Sequence, residues 1–445
     1  MRRALFAAAL AALLLGVPTS ARVGATAPFL GLARPAALVL ADTNGDGKTD
    51  VVAANVRFSM SVFQGSGTGS LGSYVLSRLV GTHPDIATTD FNADGVPDYA
   101  VANYASAALL VVLGQTGGGF GAPSSYATDK RPIAVLAADF NRDGKPDVAV
   151  VSSNTGYTKI HLGNGDGTLR PGGRYRVGGQ PWEAAAGDLN GDGNTDVLTT
   201  TGFPDELHVQ LGIGDGSLGP PRVIEIGDLP TGIATGDFDL DGKLDAALAN
   251  FGKDDVTVLF GDGTGGFRSA TRYPVLDSPD SIVAADFNGD GVLDLAAATF
   301  YSGTSVGIVL GRGAGVFGLP TRYSLGGIAL DLEAGDLNAD GKLDLVAANP
   351  EAGSVSVVLG TGDGAFGPPA KYVAGPPACV VPVLLRQRLA GARRALQKGG
   401  CRLGRVRRVY STKVARGRII RQSPPARSER PLRTRVGVTV SRGKR

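Results

Sequence analysis

The residues of this chain best suited to chemistry are carboxylates set at alternate positions in short, glycine-containing stretches. Seven such segments read DTNGDGKTD, DFNADGVPD, DFNRDGKPD, DLNGDGNTD, DFDLDGKLD, DFNGDGVLD and DLNADGKLD. They start at residues 42, 90, 139, 188, 237, 286 and 336, so successive copies lie 48 to 50 residues apart. Positions 1, 5 and 9 are always Asp, position 3 is Asn or Asp, position 6 is always Gly, and positions 4, 7 and 8 vary. The oxygen-bearing sets are Asp42, Asn44, Asp46 and Asp50; Asp90, Asn92, Asp94 and Asp98; Asp139, Asn141, Asp143 and Asp147; Asp188, Asn190, Asp192 and Asp196; Asp237, Asp239, Asp241 and Asp245; Asp286, Asn288, Asp290 and Asp294; and Asp336, Asn338, Asp340 and Asp344. Side chains at alternate positions of a tight loop converge on one centre, and Ca2+ takes about six to eight oxygens. Position 7 would add its backbone carbonyl, which leaves that side chain free to vary. Mg2+ demands octahedral geometry and keeps several waters, so it suits the pattern less well. The expectation is up to seven Ca2+ ions, one per copy.

Simple turn formation and an EF-hand are the competing origins of such a pattern. Asn, Asp and Gly favour turns by themselves, but three carboxylates in one turn repel, and the arrangement recurs seven times. The EF-hand loop begins with the same pattern but needs a bidentate Glu at position 12. That position here holds Ala53, Val101, Val150, Thr199, Leu248, Ala297 or Ala347. Each loop also runs into a short apolar segment, such as DVVAAN or DLVAAN, that reads as a strand and not as an amphipathic helix.

Short strands must therefore position the loops. In the second period DIATTD enters the loop, DYAVAN leaves it, AALLVVLG follows, and FGAPSSYA comes after the turn QTGGG. The glycine turn recurs as GNGDGTL, GIGDGSL, GDGTGGF, GRGAGVF and GTGDGAF, and Pro35, Pro84, Pro132, Pro181, Pro230 and Pro279 open most periods. Four strands in about 49 residues make one propeller blade, and seven periods fill residues 29–375. Aromatics are only 6% of the chain, with Trp182 the single tryptophan, so the core must be Ala, Val and Leu on turn-rich elements. The predicted fold is all-β, a seven-bladed β-propeller. Its last blade can be completed by FGPPAKYV at 366–373 or by APFLGLA at 27–33.

The two ends differ from this body. Residues 1–27 carry Arg2, Arg3, a 14-residue apolar run from Ala4 to Val17 and then small residues, which reads as a secretory signal peptide. The run is shorter than the roughly 20 residues of a membrane-spanning helix. The mature chain is expected to be secreted, with no transmembrane segment after cleavage, in a setting where calcium is plentiful and thiols oxidise. Residues 1–377 contain 24 basic and 40 acidic residues, and 22 of the acidic ones lie in the seven loops. Residues 378–445 contain 20 basic residues and one acidic residue, Glu429. The domains are accordingly 28–375 and 376–445. The second reads as a small α+β unit, with a strand at 379–381, a helix showing Leu389, Ala392 and Leu396 on one face, and three later strands. So small a unit needs a staple. A Cys379–Cys401 disulfide would close a loop of about 23 residues, worth on the order of 3 kcal/mol in the chain-entropy model.

The loops, the apolar strand after each and the glycine turn closing on Phe or Leu resemble FG-GAP (VCBS) repeats, the unit of the seven-bladed propeller of integrin α-subunits and many secreted bacterial proteins. The resemblance implies one Ca2+ per blade, held by positions 1, 3, 5 and 9 between the first two strands. It places ligand binding on the opposite face or in the central channel. The tail resembles a PASTA domain in its VP opening, Leu389, Ala392, Leu396, Gly404, the S-x-x-V-x-x-G-x-x-I-x-Q-S-P run at 411–424 and the closing V-x-V-x-V-S-R-G. It departs from that family at Arg386, Arg427 and Arg433, where turn glycines are usual. PASTA domains are associated with peptidoglycan, so peptidoglycan or an anionic wall polymer is the expected partner of the basic tail.

No catalytic constellation stands out. His83, His161 and His208 fall in different periods and read as surface or packing residues. The chain has no G-x-S-x-G elbow, H-E-x-x-H helix or P-loop. Nucleic acid is not an expected partner, given export and few stacking aromatics beyond Tyr410. The expected function is non-catalytic binding or adhesion, with a protein or cell-surface glycan on the propeller. The alternatives are a glycan-binding lectin and a polysaccharide-degrading enzyme such as a lyase.

Overall fold

The computed structural model describes residues 34–56, 59–79, 82, 85–300, 304–374, 379–380, 383–398, 402–423, 429–430 and 435–442. They fall into two units, one of them Arg34–Tyr372 and the other running on from Val373. The signal-peptide reading of residues 1–27 lies outside the described residues.

The first unit is seven four-stranded sheets in succession, within residues 35–78, 86–127, 132–176, 181–225, 230–274, 279–324 and 331–373, each with its strands in chain order. The third is typical: Pro132–Ala138, Asp147–Ser152, Tyr157–Gly163 and Leu169–Arg176. The first strands of the sheets touch one another in a closed cycle, the seventh meeting the first. They therefore line the axis of a seven-bladed propeller. The second strands, from DVVAAN in the first blade to DLVAAN in the last, are buried along their whole length. Neighbouring blades cover both of their faces, which is why Ala and Val run on without the polar alternation of a half-exposed strand. The fourth strands, such as Arg222–Glu225, form the exposed rim.

Position 2 of the acidic loop helps to join the blades. It is Phe91, Phe140, Leu189, Phe238, Phe287 or Leu337 in six of them, each at most 2% exposed. Phe238, for example, packs with Phe317 and Leu295 of the next blade. The turn after the third strand imposes a further constraint. Its first glycine is Gly65, Gly114, Gly163, Gly212, Gly261, Gly311 or Gly360, and a Cβ there would stand 2.1–2.4 Å from the carbonyl oxygen of loop position 8.

The ring closes without strand exchange: the last blade is completed by its own fourth strand, Ala370–Val373. Residues 27–33, the other candidate, lie outside the described residues. Blade 7 is tied to blade 1 by Leu38 N donating to Asp331 Oδ2 at 2.7 Å, Thr49 Oγ1 to the Asp336 carbonyl at 3.0 Å, and Gly69 N to the Leu337 carbonyl at 3.2 Å.

In the second unit a helix, Leu389–Lys398, packs Ala392 and Leu396 against Ile419, Val436, Val438 and Val440. These belong to a three-stranded sheet ordered Arg402–Val409, Arg435–Ser441, Ile419–Ser423, with the first pair parallel and the second antiparallel. Cys379–Val380 pairs with Glu429–Arg430. Cys401 lies outside the described residues, and with it the proposed disulfide. Arg386, one of the departures from the PASTA pattern, takes a left-handed conformation at φ 63°, the backbone state for which glycine is favoured. Among the described residues no helix is long and apolar enough to cross a membrane.

The close approach at the glycine turn makes a direct prediction. Gly163→Ala must displace the Pro146 carbonyl and should cost about 2 kcal/mol, read as a lower Tm. Gly219→Ala, whose Cβ would meet only the Leu211 carbonyl at 3.4 Å, should leave Tm nearly unchanged.

Candidate metal-binding loops and axial carboxylates

Each acidic loop joins the first strand of a blade to the second, so the seven sit at equivalent places at one end of the ring. Their internal bonds repeat. The position 1 carboxylate accepts the amide of the position 6 glycine at 2.7–2.8 Å in every blade. The position 3 oxygen accepts the position 5 amide at 2.8–3.2 Å. The position 5 carboxylate accepts the position 7 amide at 2.7–3.0 Å. The invariant glycine has φ of 77–82° in all seven copies, which explains its invariance. Position 4, free to vary in sequence, is left-handed as well: Gly45, Gly191 and Gly289 share that state with Ala93, Arg142, Leu240 and Ala339.

Position 9 stands apart. Asp50, Asp98, Asp147, Asp196, Asp245, Asp294 and Asp344 are at most 1% exposed. One oxygen of each accepts the position 2 amide at 2.8–3.1 Å. The other accepts the amide of the first turn glycine at 2.7–2.9 Å. Burial pushes Asp147 and Asp294 up to about 6, against the pull of these amides and with the carboxylates at positions 5 and 1 adding to the rise. A cation among the loop oxygens would offset that penalty.

The donor set fits a hard cation. In blade 5, ligand atoms of Asp237, Asp239 and Asp245 lie within 4.8 Å of one another. These are positions 1, 3 and 9, and the other six blades present Asp, Asn and Asp there, so an amide oxygen replaces one carboxylate. Oxygen-only sets of this kind suit Ca2+, Mg2+ or Mn2+ over softer metals. Position 5 is exposed at the loop tip in every blade.

Blade 5 differs in its counter-charge. The residue after the Phe or Leu of the glycine turn is Gly72, Gly121, Gly219, Gly318 or Gly367 in five blades, but Arg170 in blade 3 and Arg268 in blade 5. Arg268 bonds the carboxylates of Asp239 and Asp241 and the Gly261 carbonyl. Arg170 reaches only to 4.0 Å from Asp143. The guanidinium of Arg268 therefore answers the extra charge that Asp239 brings.

A second acidic group does not stand out in the sequence pattern. Asp85, Glu183, Asp280, Asp331 and Glu333 lie on the first strands of blades 2, 4, 6 and 7 or at their entrances, where the strands converge on the axis. Burial pushes Asp85 and Asp280 up to about 7 and Asp331 to about 6, with Asp331 adding to the rise at Asp85 and Asp280. Burial holds Glu183 and Glu333 well above the usual carboxylate range, and Asp85 and Asp331 raise both further. Some of these groups also join blades. Asp85 Oδ2 accepts Val135 N at 2.7 Å, as Asp331 accepts Leu38 N, and Ser281 Oγ accepts Leu332 N at 3.2 Å. Counting back five residues from loop position 1 gives Ala37, Asp85, Ala134, Glu183, Gly232, Ser281 and Asp331, an alignment that would have exposed most of the group.

The histidines read as packing. His161 is buried beside Tyr126, and burial, with Lys159 adding to it, pushes its imidazole down to about 4. His208 is buried with Nε2 2.9 Å from Glu206 Oε2. His83 lies outside the described residues.

Two outcomes are expected. Arg268→Gly should strengthen metal binding at blade 5 roughly tenfold by removing a nearby positive charge, read by terbium luminescence titration, while Gly219→Arg at the equivalent place should weaken blade 4. For the axial groups, the folded chain holds protons that the unfolded chain has lost between pH 4 and 7. Their contribution to stability is thus full below about pH 4 and declines as pH rises through 7. Asp280→Asn should remove part of that decline, so the Tm difference between mutant and wild type should grow in the mutant's favour from pH 5 to pH 8.

Comparison with known families matches an FG-GAP-like repeat at residues 42–101, 90–150, 139–199, 188–248, 237–297, 286–347 and 336–380, and a PASTA domain at 380–442. No curated protein matches the chain. Among solved structures, a protein from Lactobacillus plantarum is similar at 14% identity and TM-score 0.53, covering 72% of this chain and 92% of its own. BBS1N, solved in complex with ARL6DN, is similar at 15% identity and TM-score 0.51, covering 74% and 93%. An Agrocybe aegerita lectin specific for non-reducing terminal N-acetylglucosamine is similar at 20% identity and TM-score 0.50, covering 72% and 87%. Likeness at these identities concerns the fold. With seven repeat matches over most of its length, this chain belongs to the FG-GAP-like repeat family and carries a C-terminal PASTA domain.

Proposed function

We propose that this protein is a secreted, calcium-stabilised binding or adhesion protein without catalytic activity. Its propeller presents a recognition surface to a protein or a cell-surface glycan, and its basic PASTA domain associates with the cell wall. The observation that carries this reading is the fate of the recurring carboxylates. In all seven blades they are engaged by the amides of their own loop and turn, so the most chemical residues of the chain serve the scaffold. Calcium follows from the oxygen-only donor set, its tolerance of an amide oxygen at position 3, and the expected export. A lyase would call for Lys, Arg or His near the axis, and the titratable groups described on the axial strands, Asp85, Glu183, Asp280, Asp331 and Glu333, are acids.

The similarity in fold to a lectin favours a glycan as one form of the propeller ligand. Several aromatics between blades here are spent on each other: Tyr273 meets Phe317 and Tyr323 meets Phe366 edge-on at 5.0 and 5.5 Å. A sugar on this propeller would accordingly rely on polar contacts more than on aromatic platforms.

The test is capture of the purified protein by isolated cell wall and by a glycan and protein panel, with Ca2+ or with EDTA, comparing the full chain with one lacking 376–445. Wall capture should disappear with the deletion, and EDTA should lower Tm and abolish capture by the propeller. A melt unchanged by EDTA would remove the calcium reading. Product release from acidic polysaccharides would remove the non-catalytic one.

A further inference from the structure

The PASTA-like sheet has two faces, and only one of them is accounted for. Val436, Val438 and Val440 of the central strand turn toward Ala392 and Leu396 of the helix and form the core. Alternation along the strand sends Arg435, Gly437 and Thr439 to the opposite face. The register carries this face across the neighbours. Arg402 pairs with Arg435 and Arg407 with Thr439 on one side, and Arg421 pairs with Thr439 on the other. Arg402, Arg407, Arg421 and Arg435 are all exposed.

Two features of this face call for an external anion. Arg402 and Arg435 are register partners on adjacent parallel strands, so two positive charges are brought together on one face. The unit also has little of its own with which to neutralise them, since residues 378–445 hold 20 basic residues against Glu429 alone. Arg407 and Arg421 lie on either side of Thr439, about 10 Å from each other, which is twice the strand spacing. The result is an open, flat row of guanidinium groups around a hydroxyl, suited to a linear chain lying across it and not to a single small anion in a pocket. Guanidinium pairs with phosphate through two parallel hydrogen bonds.

We infer that this sheet face, with the exposed Arg402, Arg407, Arg421 and Arg435 around Thr439, is the docking surface for a phosphate-bearing linear wall polymer. The inference rests on the proposed wall association and adds to it the face and the chemistry. Nucleic acid offers phosphate charge too; a single strand would in addition use aromatic platforms, and Tyr410 nearby lies under the Arg442 guanidinium at 5.7 Å, while a duplex is a direct competitor in the experiment below.

The experiment uses the full chain and a poly(glycerol phosphate) probe at stepped salt. Binding should weaken steeply as salt rises. Arg407→Glu with Arg421→Glu should weaken it at least about tenfold. Arg393→Glu with Arg394→Glu, the same change of charge on the exposed side of the helix, should weaken it less than about threefold. Arg407→Lys with Arg421→Lys, which keeps charge but loses the fork, should fall between. An unchanged Tm for the first pair confirms that it folds. Equal losses from the sheet and helix pairs would overturn the proposal in favour of total charge alone, and tighter binding to duplex DNA at equal salt would overturn it in favour of nucleic acid. If phosphate-free peptidoglycan is captured by wild type and by the sheet pair alike, while deleting 376–445 abolishes capture, the wall reading stands and this face does not carry it.

Discussion

The structure depends on a buried carboxylate that is never left alone. In every blade the ninth loop residue, Asp147 for instance, is withdrawn from solvent at the point where the acidic loop becomes the second strand. One of its oxygens accepts Phe140 N at 3.0 Å and the other Gly163 N at 2.7 Å. One side chain thus fixes where the loop begins, where the second strand starts and where the third strand turns. Burying a carboxylate is costly, and the two amides recover part of that cost. The remainder makes this end of each blade receptive to a cation, because positions 1, 3 and 5 bring further oxygens to the same loop. The oxygens that could hold a cation and the bonds that set the blade geometry are in this sense one constraint.

Much of this is legible in the sequence, because it repeats. The spacing of 48 to 50 residues, the invariant Asp at positions 1, 5 and 9 and the glycine at position 6 each appear seven times, and repetition separates a structural demand from chance. What stayed hidden follows from how sequence encodes backbone. Position 4 is left-handed in every copy, yet Ala93, Arg142, Leu240 and Ala339 tolerate it because neighbouring bonds hold the turn, so no glycine signature appears. The turn glycines were visible as turn formers. Their second purpose, leaving room for a carbonyl of the loop at 2.1–2.4 Å from a virtual Cβ, arises only when two turns are brought together.

The axial carboxylates did not stand out for the opposite reason: only an alignment of the periods on their loops places three of them together, because they do not repeat. Asp85, Glu183 and Asp331 share one register position with Ala37, Ala134, Gly232 and Ser281, so in a linear reading they look like scattered polar residues at strand starts. Closure of the ring brings them to a common axis, where Asp331 raises the proton affinity of Asp85, and both raise that of Glu183 and Glu333. Ring closure itself was open in sequence between two segments, and the strand order of the last blade, which ends on Ala370–Val373, answers it in favour of the propeller's own last strand.

These two kinds of residue divide the work of the molecule. Positions identical in all blades are bound by the geometry of the blade and are poor candidates for discriminating one ligand from another, since a sevenfold surface built only of them would offer the same contact everywhere. Discrimination must come from positions where the blades differ: the axial acids, the arginine that replaces glycine in blades 3 and 5, and the variable fourth strands on the rim. Arg268 shows how this works physically. Blade 5 alone has Asp at position 3, and it supplies a guanidinium to Asp239 and Asp241. A departure from the repeat is thus answered by a second departure within the same blade, so the scaffold tolerates local changes of charge. That tolerance is what allows a strictly repeated fold to carry a surface that is not repeated.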